Sequence, residues 1–501
     1  MEFRCPAPKG ASDLAGLTVS LERYPDTKLP DTKHEDTKLE FFSNLSIPMV
    51  PSVKAKTDSQ NRLPAVVVLT VFLATASWLV LAVWRYSVNL IFWDQWDFYT
   101  PLFNHASLWQ IFAWQHGPHR EGIGLVLDKF VLESTRWSSL AEALFMVGAL
   151  FAAAVVALRL KQKLFAGGAL GSFEYSDLVI PCLFLTFAQM EVLVGEENPS
   201  YSAIPELLIG LYCLAWMIPK PVARYAAVLV FNFLLIYTGF GFFMGLVTLG
   251  VLLLDLRRSL RAEAESSSLP AAALLLAALS LASFFYHYRW DPAVPCFHFP
   301  DADPLNYPWF IGLMMAYFLG LRSVVLGSVI GGFLLTGALA VLIRHGVRLW
   351  CNRKWSALDR TIVILLSFSL LFAANAAVGR VCMGMPESAQ YSRYMGLLVP
   401  AFVGIYFHLL TWRKTALRTA VLAVFVIALV PGTVRMPSGY SPQVVKDGKQ
   451  AWRACILQTG TIDYCDRATG FPVYANPRGA HLLEKLQFLQ QNGLNLYSQE
   501  R

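Results

Sequence analysis

The chain has 501 residues, 55% of them hydrophobic and only 15% charged, against about 45–50% and 25% in soluble domains. Apolar residues in that proportion, gathered in long runs, exclude a soluble globular protein and predict a polytopic membrane protein. The formal net charge of +7 comes from loops between apolar runs, so no nucleic-acid binding is expected from it.

The first sixty or so residues are polar and carry a near-repeat, DTKLP, DTKHE, DTKLE, from Asp26 to Glu40. Such charge-alternating sequence cannot bury enough apolar surface to order itself. Residues 1–62 are therefore expected to be a disordered cytoplasmic tail without a catalytic role. The tail lacks the charged-then-apolar start of a cleavable signal peptide, so the first apolar run is expected to serve as an uncleaved signal anchor.

About eleven runs follow, near 64–85, 138–158, 177–194, 202–219, 223–238, 240–256, 269–287, 324–343, 360–378, 394–412 and 415–431. A helix needs about 20 residues to cross some 30 Å of hydrocarbon, where no backbone amide can go unpaired. The fold class expected is all-α, a polytopic transmembrane bundle over residues 63–431. Basic residues cluster in alternate loops, at Arg159–Lys163, Lys220–Arg224, Arg257–Arg261, Arg344–Lys354 and Arg413–Arg418. Short basic loops stay cytoplasmic, which puts the N-terminus inside, and the loop 86–137 and the C-terminal segment 432–501 outside. Trp309–Gly320 does not fit this alternation. It is expected to be either a re-entrant or interfacial helix, or the first half of one long tilted helix broken near Arg322.

The outer loop 86–137 carries Trp93, Trp96, Phe98, Tyr99, Trp109 and Trp114, which an interfacial aromatic belt explains. A belt does not need the two acids of FWDQWDF. At helical spacing Asp94 and Asp97 face one way, and a partly desolvated carboxylate there can take a proton from an incoming hydroxyl. The alternative is that they cap a helix Phe98–Phe103 or pair with Arg120. If Gln115–Phe130 is helical, His116, His119 and Arg120 share a face; they would position a substrate, hold a phosphate through Arg120, or with the aspartates bind a divalent metal. Two further acids, Glu196 and Glu197, sit at a tight turn between spans, and one of them is a candidate acceptor or metal contact. Asp291, Asp301 and Asp303 are expected to be solvated loop charges.

The late outer stretch GRVCMGMPESAQYSRY, Gly379–Tyr394, places Arg380 and Arg393 at two membrane edges. There a guanidinium can fork onto phosphate oxygens, snorkel to headgroups or pair with Glu387. Tyr391 and Tyr394 are expected at the interface. Eight cysteines show no CxxC and no zinc-ligand spacing, so a thiolate metal site is not expected. Cys182 and Cys213 read as packing residues, while Cys455 and Cys465 are either a local disulfide or free thiols.

Trp93–Phe98, Gln115–Arg120 and Gly379–Tyr394 together resemble the WDxWDF, QHxxHR and GR…SRY stretches of bacterial branches of the GT-C superfamily of polytopic glycosyltransferases. The resemblance runs from about residue 64 to the C-terminus. It implies a sugar transfer from a polyprenyl-phosphate donor to a glycan, lipid or protein acceptor, on the outer face of a bacterial inner membrane. Asp94, or failing that Asp97, would be the base, and Arg380 and Arg393, with Arg120, would grip the lipid phosphate. His116, His119, Glu196, Glu197 and Tyr394 would position substrates. This chain has Asp-Gln-Trp-Asp where other branches carry adjacent acids, so which acid is the base stays open. No cofactor is implied beyond a possible divalent metal. The competing readings are a transporter or flippase of lipid-linked saccharides, and an O-antigen-polymerase-like enzyme.

Overall fold

The computed structural model describes residues 62–165, 172–261, 267–290, 296–351, 356–436 and 440–498. The expected disordered tail lies, but for its last residue, outside them. Among the described residues the chain is helical apart from one two-stranded hairpin.

Each of the apolar runs is helical. The first, α1 (Arg62–Tyr86), leads into an outer loop of short elements: α2 (Gln95–Phe98), α3 (Thr100–Phe103), α4 (Leu108–Phe112), the strands β1 (Gln115–His116) and β2 (His119–Arg120), and α5 (Gly122–Ser134). Then come α6 (Ser139–Phe165) and a broken run, Tyr175–Gly195, in which α7 (Val179–Phe184) is followed by a 3₁₀ turn and a π-helical turn, Glu191–Gly195. The bundle continues with α8 (Ala203–Ala215), α9 (Pro221–Ile236), α10 (Phe242–Arg261), α11 (Ser268–Phe284), α12 (Asn306–Phe318), α13 (Val324–Cys351), α14 (Ala357–Arg380), α15 (Val399–Leu410) and α16 (Thr415–Val434). Six of these helical stretches are long and apolar enough to cross a membrane: 62–86, 139–165, 324–351, 357–383, 392–410 and 415–434. Their outward side chains include Phe333, Val325, Val424 and Ile427, all exposed, as expected of helices that are apolar all round.

The break near Arg322 is real, and the two segments do not form one helix. The chain turns through Gly320 (φ 75°), and α12 folds back beside α13. Trp309 Nε1 donates to Ser328 Oγ at 2.8 Å. Gly312 lies so close to Gly331 that a Cβ there would come within 2.1 Å of the Gly312 carbonyl oxygen; small residues are what let two helix backbones approach in this way.

After α16 the chain forms α17 (Pro442–Thr459), α18 (Ile462–Thr469) and α19 (Leu482–Asn492). These do not stand apart. Trp452, Ile456, Val473, Leu482, Leu486 and Leu489 share one buried core with Leu90, Trp96, Phe98, Phe103 and Trp137 of the outer loop. Buried Asn495 staples the two polypeptide stretches: its Nδ2 donates to the Trp137 carbonyl at 2.7 Å and its Oδ1 accepts from the Ile91 amide at 3.1 Å. Lys485 Nζ donates to Thr100 Oγ1 at 2.9 Å and to the Trp96 carbonyl, and burial lowers its pKa to about 8. Cys455 and Cys465 are disulfide-bonded, so the free-thiol alternative falls. A second bridge, Cys296–Cys382, has no signature in the sequence. Cys182 and Cys213 are free and buried. Asp301 and Asp303 serve their own loop, with Asp301 Oδ1 accepting from the Asp303 amide.

Behind the outer loop, buried Asp128 of α5 lies against Glu142 and Tyr99, and Tyr99 donates to Glu142 at 2.5 Å. Burial raises the Asp128 pKa from 3.8 to about 7. Below the unfolded value, folded and unfolded chains are equally protonated and this group costs nothing. As pH rises toward 7 the unfolded chain gives up the proton first, so stability is lost over that window. Asp128→Asn should therefore raise stability by roughly 1–3 kcal/mol at pH 8 and hardly at all at pH 4. Thermal unfolding at the two pH values checks this; an equal shift at both would refute it.

Candidate active site

The approach to the first acid is set by Trp93, whose φ of 54° is a left-handed conformation costly for an aromatic residue. The turn is held from both sides: the Trp93 amide donates to the Val473 carbonyl at 2.8 Å, and the Asp94 amide donates to Glu196 Oε1 at 3.1 Å. Asp94 occupies the N-cap position of α2 but makes no capping hydrogen bond, which leaves its carboxylate for the space in front. Asp97 follows one turn later on the same side. Tyr474, from the C-terminal segment, donates its hydroxyl to Asp97 Oδ2, and the tyrosine's pKa is raised, first by burial and then by that bond.

The QHGPHR stretch corrects the helical expectation. Gly117 and Pro118 form the turn of a hairpin in which His116 faces His119 and Gln115 faces Arg120. Successive residues of a strand point to opposite faces, so the histidines and Arg120 part company. His116 Nε2 lies 4.0 Å from Asp94 Oδ2. His119 Nε2 meets the Tyr201 hydroxyl at 2.7 Å, and burial lowers the His119 pKa. Arg120 turns away and is neither a partner of Asp94 nor a ligand in the cleft. Its Nε donates to the Phe284 carbonyl at 2.9 Å, and Nη2 and Nη1 donate to the carbonyls of Tyr286 (2.6 Å) and Ala113. Each of its three nitrogens thus donates to a backbone carbonyl, two of them fastening the outer loop to the end of α11. The hairpin is also held against the turn after α9, where the Gly239 amide donates to the Arg120 carbonyl at 2.8 Å. Gly239 has φ 56°, and a Cβ would fall 2.1 Å from the Ser200 carbonyl oxygen, so only glycine fits.

Arg393 is the hub on the opposite wall. Its Nε donates to Glu191 Oε1 at 2.8 Å, and its Nη1 lies 3.2 Å from Glu196 Oε2 and 3.8 Å from Asp94 Oδ2. It does not pair with Glu387. The π-helical turn, a geometry frequent at functional sites, supplies Glu191 at its start and leads directly into Glu196. Burial raises the proton affinity of Glu196 well above that of an ordinary carboxyl, against the pull of Arg393. Glu197 points elsewhere: it is fully buried and lies 3.6 Å from Lys449 Nζ, itself fully buried. Losing one partner of such a pair typically costs about 3–5 kcal/mol, so Glu197 anchors α17 rather than a substrate.

Arg380, at the end of α14, differs from Arg393. Among the described residues its guanidinium meets no carboxylate; Nη1 touches only Met383 Sδ, at 3.4 Å. The Cys296–Cys382 bridge, two residues on, ties this chain end to the loop after α11.

These groups enclose one cavity of about 680 Å³, lined by Trp93, Asp94, Asp97, Trp114, His116, His119, Tyr201, Arg380, Tyr391, Arg393, Tyr394 and Tyr474 among others. No family model, curated protein or solved structure matches this chain. Its chemistry is therefore read from the cavity. Of the sequence candidates, Asp94, Asp97, His116, His119, Arg380, Arg393 and Tyr394 line it, Glu196 supports it through Arg393, and Arg120 and Glu197 lie outside. The sequence missed Glu191, Tyr201 and Tyr474. Among the described residues no three His, Cys, Asp or Glu side chains converge as a metal-holding group; His119 is taken by Tyr201, and His116 and Asp94 lack a third ligand.

Proposed function

We propose that the chain is a membrane glycosyltransferase, which moves a sugar from a polyprenyl-phosphate donor to an acceptor hydroxyl on the extracytoplasmic face, with inversion at the anomeric carbon. One observation carries the reading: a carboxylate, Asp94, and a guanidinium that has no carboxylate partner among the described residues, Arg380, border the same cavity, although they stand far apart in the sequence. Asp94 takes the proton of the acceptor hydroxyl as the oxygen attacks the anomeric carbon. The bond from that carbon to the phosphate oxygen breaks, and its electron pair leaves on the polyprenyl phosphate. Charge grows on that phosphate only as the bond breaks, so a preplaced Arg380 stabilises the transition state more than the bound donor. Arg393 holds Asp94 in place and is itself held by Glu191 and Glu196.

The extracytoplasmic side follows from the basic loops, which fall at helix ends remote in sequence from the cleft segments. The eleven-span bundle with N-terminus inside, in a bacterial inner membrane, is part of this proposal. The test is turnover: the purified chain in lipid nanodiscs, given a polyprenyl-phosphate sugar and a mixture of cell-envelope acceptors, should release polyprenyl phosphate and form a glycoside of inverted configuration. No release with any donor sugar, or a retained configuration, would refute the reading.

A further inference from the structure

A second cavity, of about 880 Å³, lies on the other side of the β1–β2 hairpin. We propose that it binds a saccharide chain, and that in a sugar-transfer reaction this chain is the acceptor. The first statement stands on the cavity's own chemistry. The second rests on the proposed function.

Its walls combine aromatic faces and uncharged polar groups with two arginines, Arg120 and Arg289. Trp109 stacks one face near Phe112 (ring centroids 5.6 Å apart) yet stays 56% exposed, which leaves the other face open. Tyr237 lies beside it, and Asn104, His105 and Gln115 also line the space. No aspartate or glutamate lines it, in contrast to the first cavity. Such a lining suits the C–H faces and hydroxyls of a neutral or acidic sugar, and gives a cationic ligand no counter-charge. The Trp114 indole N–H, in the wall between the cavities, is buried and has no hydrogen-bond partner. An orphan donor of this kind costs about 1–3 kcal/mol, and a sugar hydroxyl or ring oxygen would satisfy it.

Each nitrogen of Arg120 donates to a backbone carbonyl, of Phe284, Tyr286 or Ala113, while Arg289, which also lines the cavity, offers an acidic sugar a counter-charge.

The partition between the two cavities is thin. Trp114, Gln115 and Gly117 line both, and the partition is fixed: Gln115 Nε2 donates to the Arg289 carbonyl at 2.6 Å, and the Arg289 amide donates to Gln115 Oε1 at 2.9 Å. A chain end reaching past this edge comes out beside His116, the neighbour of Asp94. That path brings a hydroxyl to the base inside the cavity that Arg380 and Arg393 also line.

The test uses the full chain in nanodiscs and an array of labelled neutral and acidic oligosaccharides, followed by titration of the best binder. Saturable binding is expected, weakened about tenfold by Trp109→Ala, the scale of one lost aromatic contact. Asn104→Trp, which adds bulk at an exposed position without removing a contact, should weaken it at least as much. Binding of polyprenyl phosphate to the same nanodiscs is measured in parallel. Saccharide binding without polyprenyl-phosphate binding overturns the transfer reading and leaves the saccharide site standing. No binding across the array, or unchanged affinity in both variants, overturns the saccharide site alone. So does competition by anionic lipid in the nanodisc, which would mark a headgroup pocket.

Discussion

Asp94→Asn is expected to reduce sugar transfer by about a hundred- to ten-thousand-fold, the range that a general base supplies, with donor affinity and melting temperature little changed. The argument turns on which part of Asp94 holds the fold. Its amide bonds Glu196 and the side chain caps nothing, so asparagine keeps the turn; the carboxylate's neighbours Glu196, Arg393 and His116 still meet a polar group of the same shape, while the proton acceptor is lost. Asp97→Asn should cost less. Its Oδ2 already receives the Tyr474 hydroxyl, which leaves it the poorer acceptor of a substrate proton and makes it a post for the C-terminal segment. Labelled-sugar transfer at saturating donor separates the two. Equal activity of Asp94→Asn and the unaltered chain would remove the base from the mechanism, and a deeper loss in Asp97→Asn would exchange the roles.

What the sequence disclosed and what it hid divide along a physical line. Apolar helices are legible because lipid demands them whatever they pack against, and the runs read from hydropathy are helical, six of the stretches being long and apolar enough to cross a membrane. Asp94 and Asp97 are legible because a carboxylate beside hydrocarbon needs a reason to be there. The hairpin is hidden because six residues are too few for periodicity to tell a strand from a helix. A helical reading sends Arg120 to the wrong cavity, since a strand puts neighbours on opposite faces where a helix would have kept His116, His119 and Arg120 together. Glu191 was invisible for another reason. It lies within an apolar run, and only the π-helical turn and the return of the chain at Arg393, two hundred residues later, show why it is tolerated. Tyr474 and Lys449 belong to a segment that reads as a separate appendage. Its amphipathic helices complete a core with residues 88–137 that neither stretch forms alone.

The contrast between the two arginines yields the second large effect. Arg380→Ala is expected to lower the rate at limiting donor by about a hundred- to a thousand-fold, the cost of removing one preorganised donor to developing charge, without lowering the melting temperature. The guanidinium hydrogen-bonds Met383 Sδ and pairs with no carboxylate among the described residues, so none of these is orphaned by its loss. Arg380→Lys should recover part of the rate, because a point charge still meets the phosphate but cannot fork onto it. Arg393→Ala has the opposite signature. It strands Glu191 and buried Glu196 without their cation, a change that costs about 3–5 kcal/mol when a charge is left unpaired, and it should lower the melting temperature along with the rate. Measuring donor concentration dependence and thermal unfolding on the same three variants distinguishes grip from scaffold. If Arg380→Ala binds and turns over the donor as the unaltered chain does, the lipid phosphate sits elsewhere, and the cavity shared by Asp94 and Arg380 no longer argues for sugar transfer.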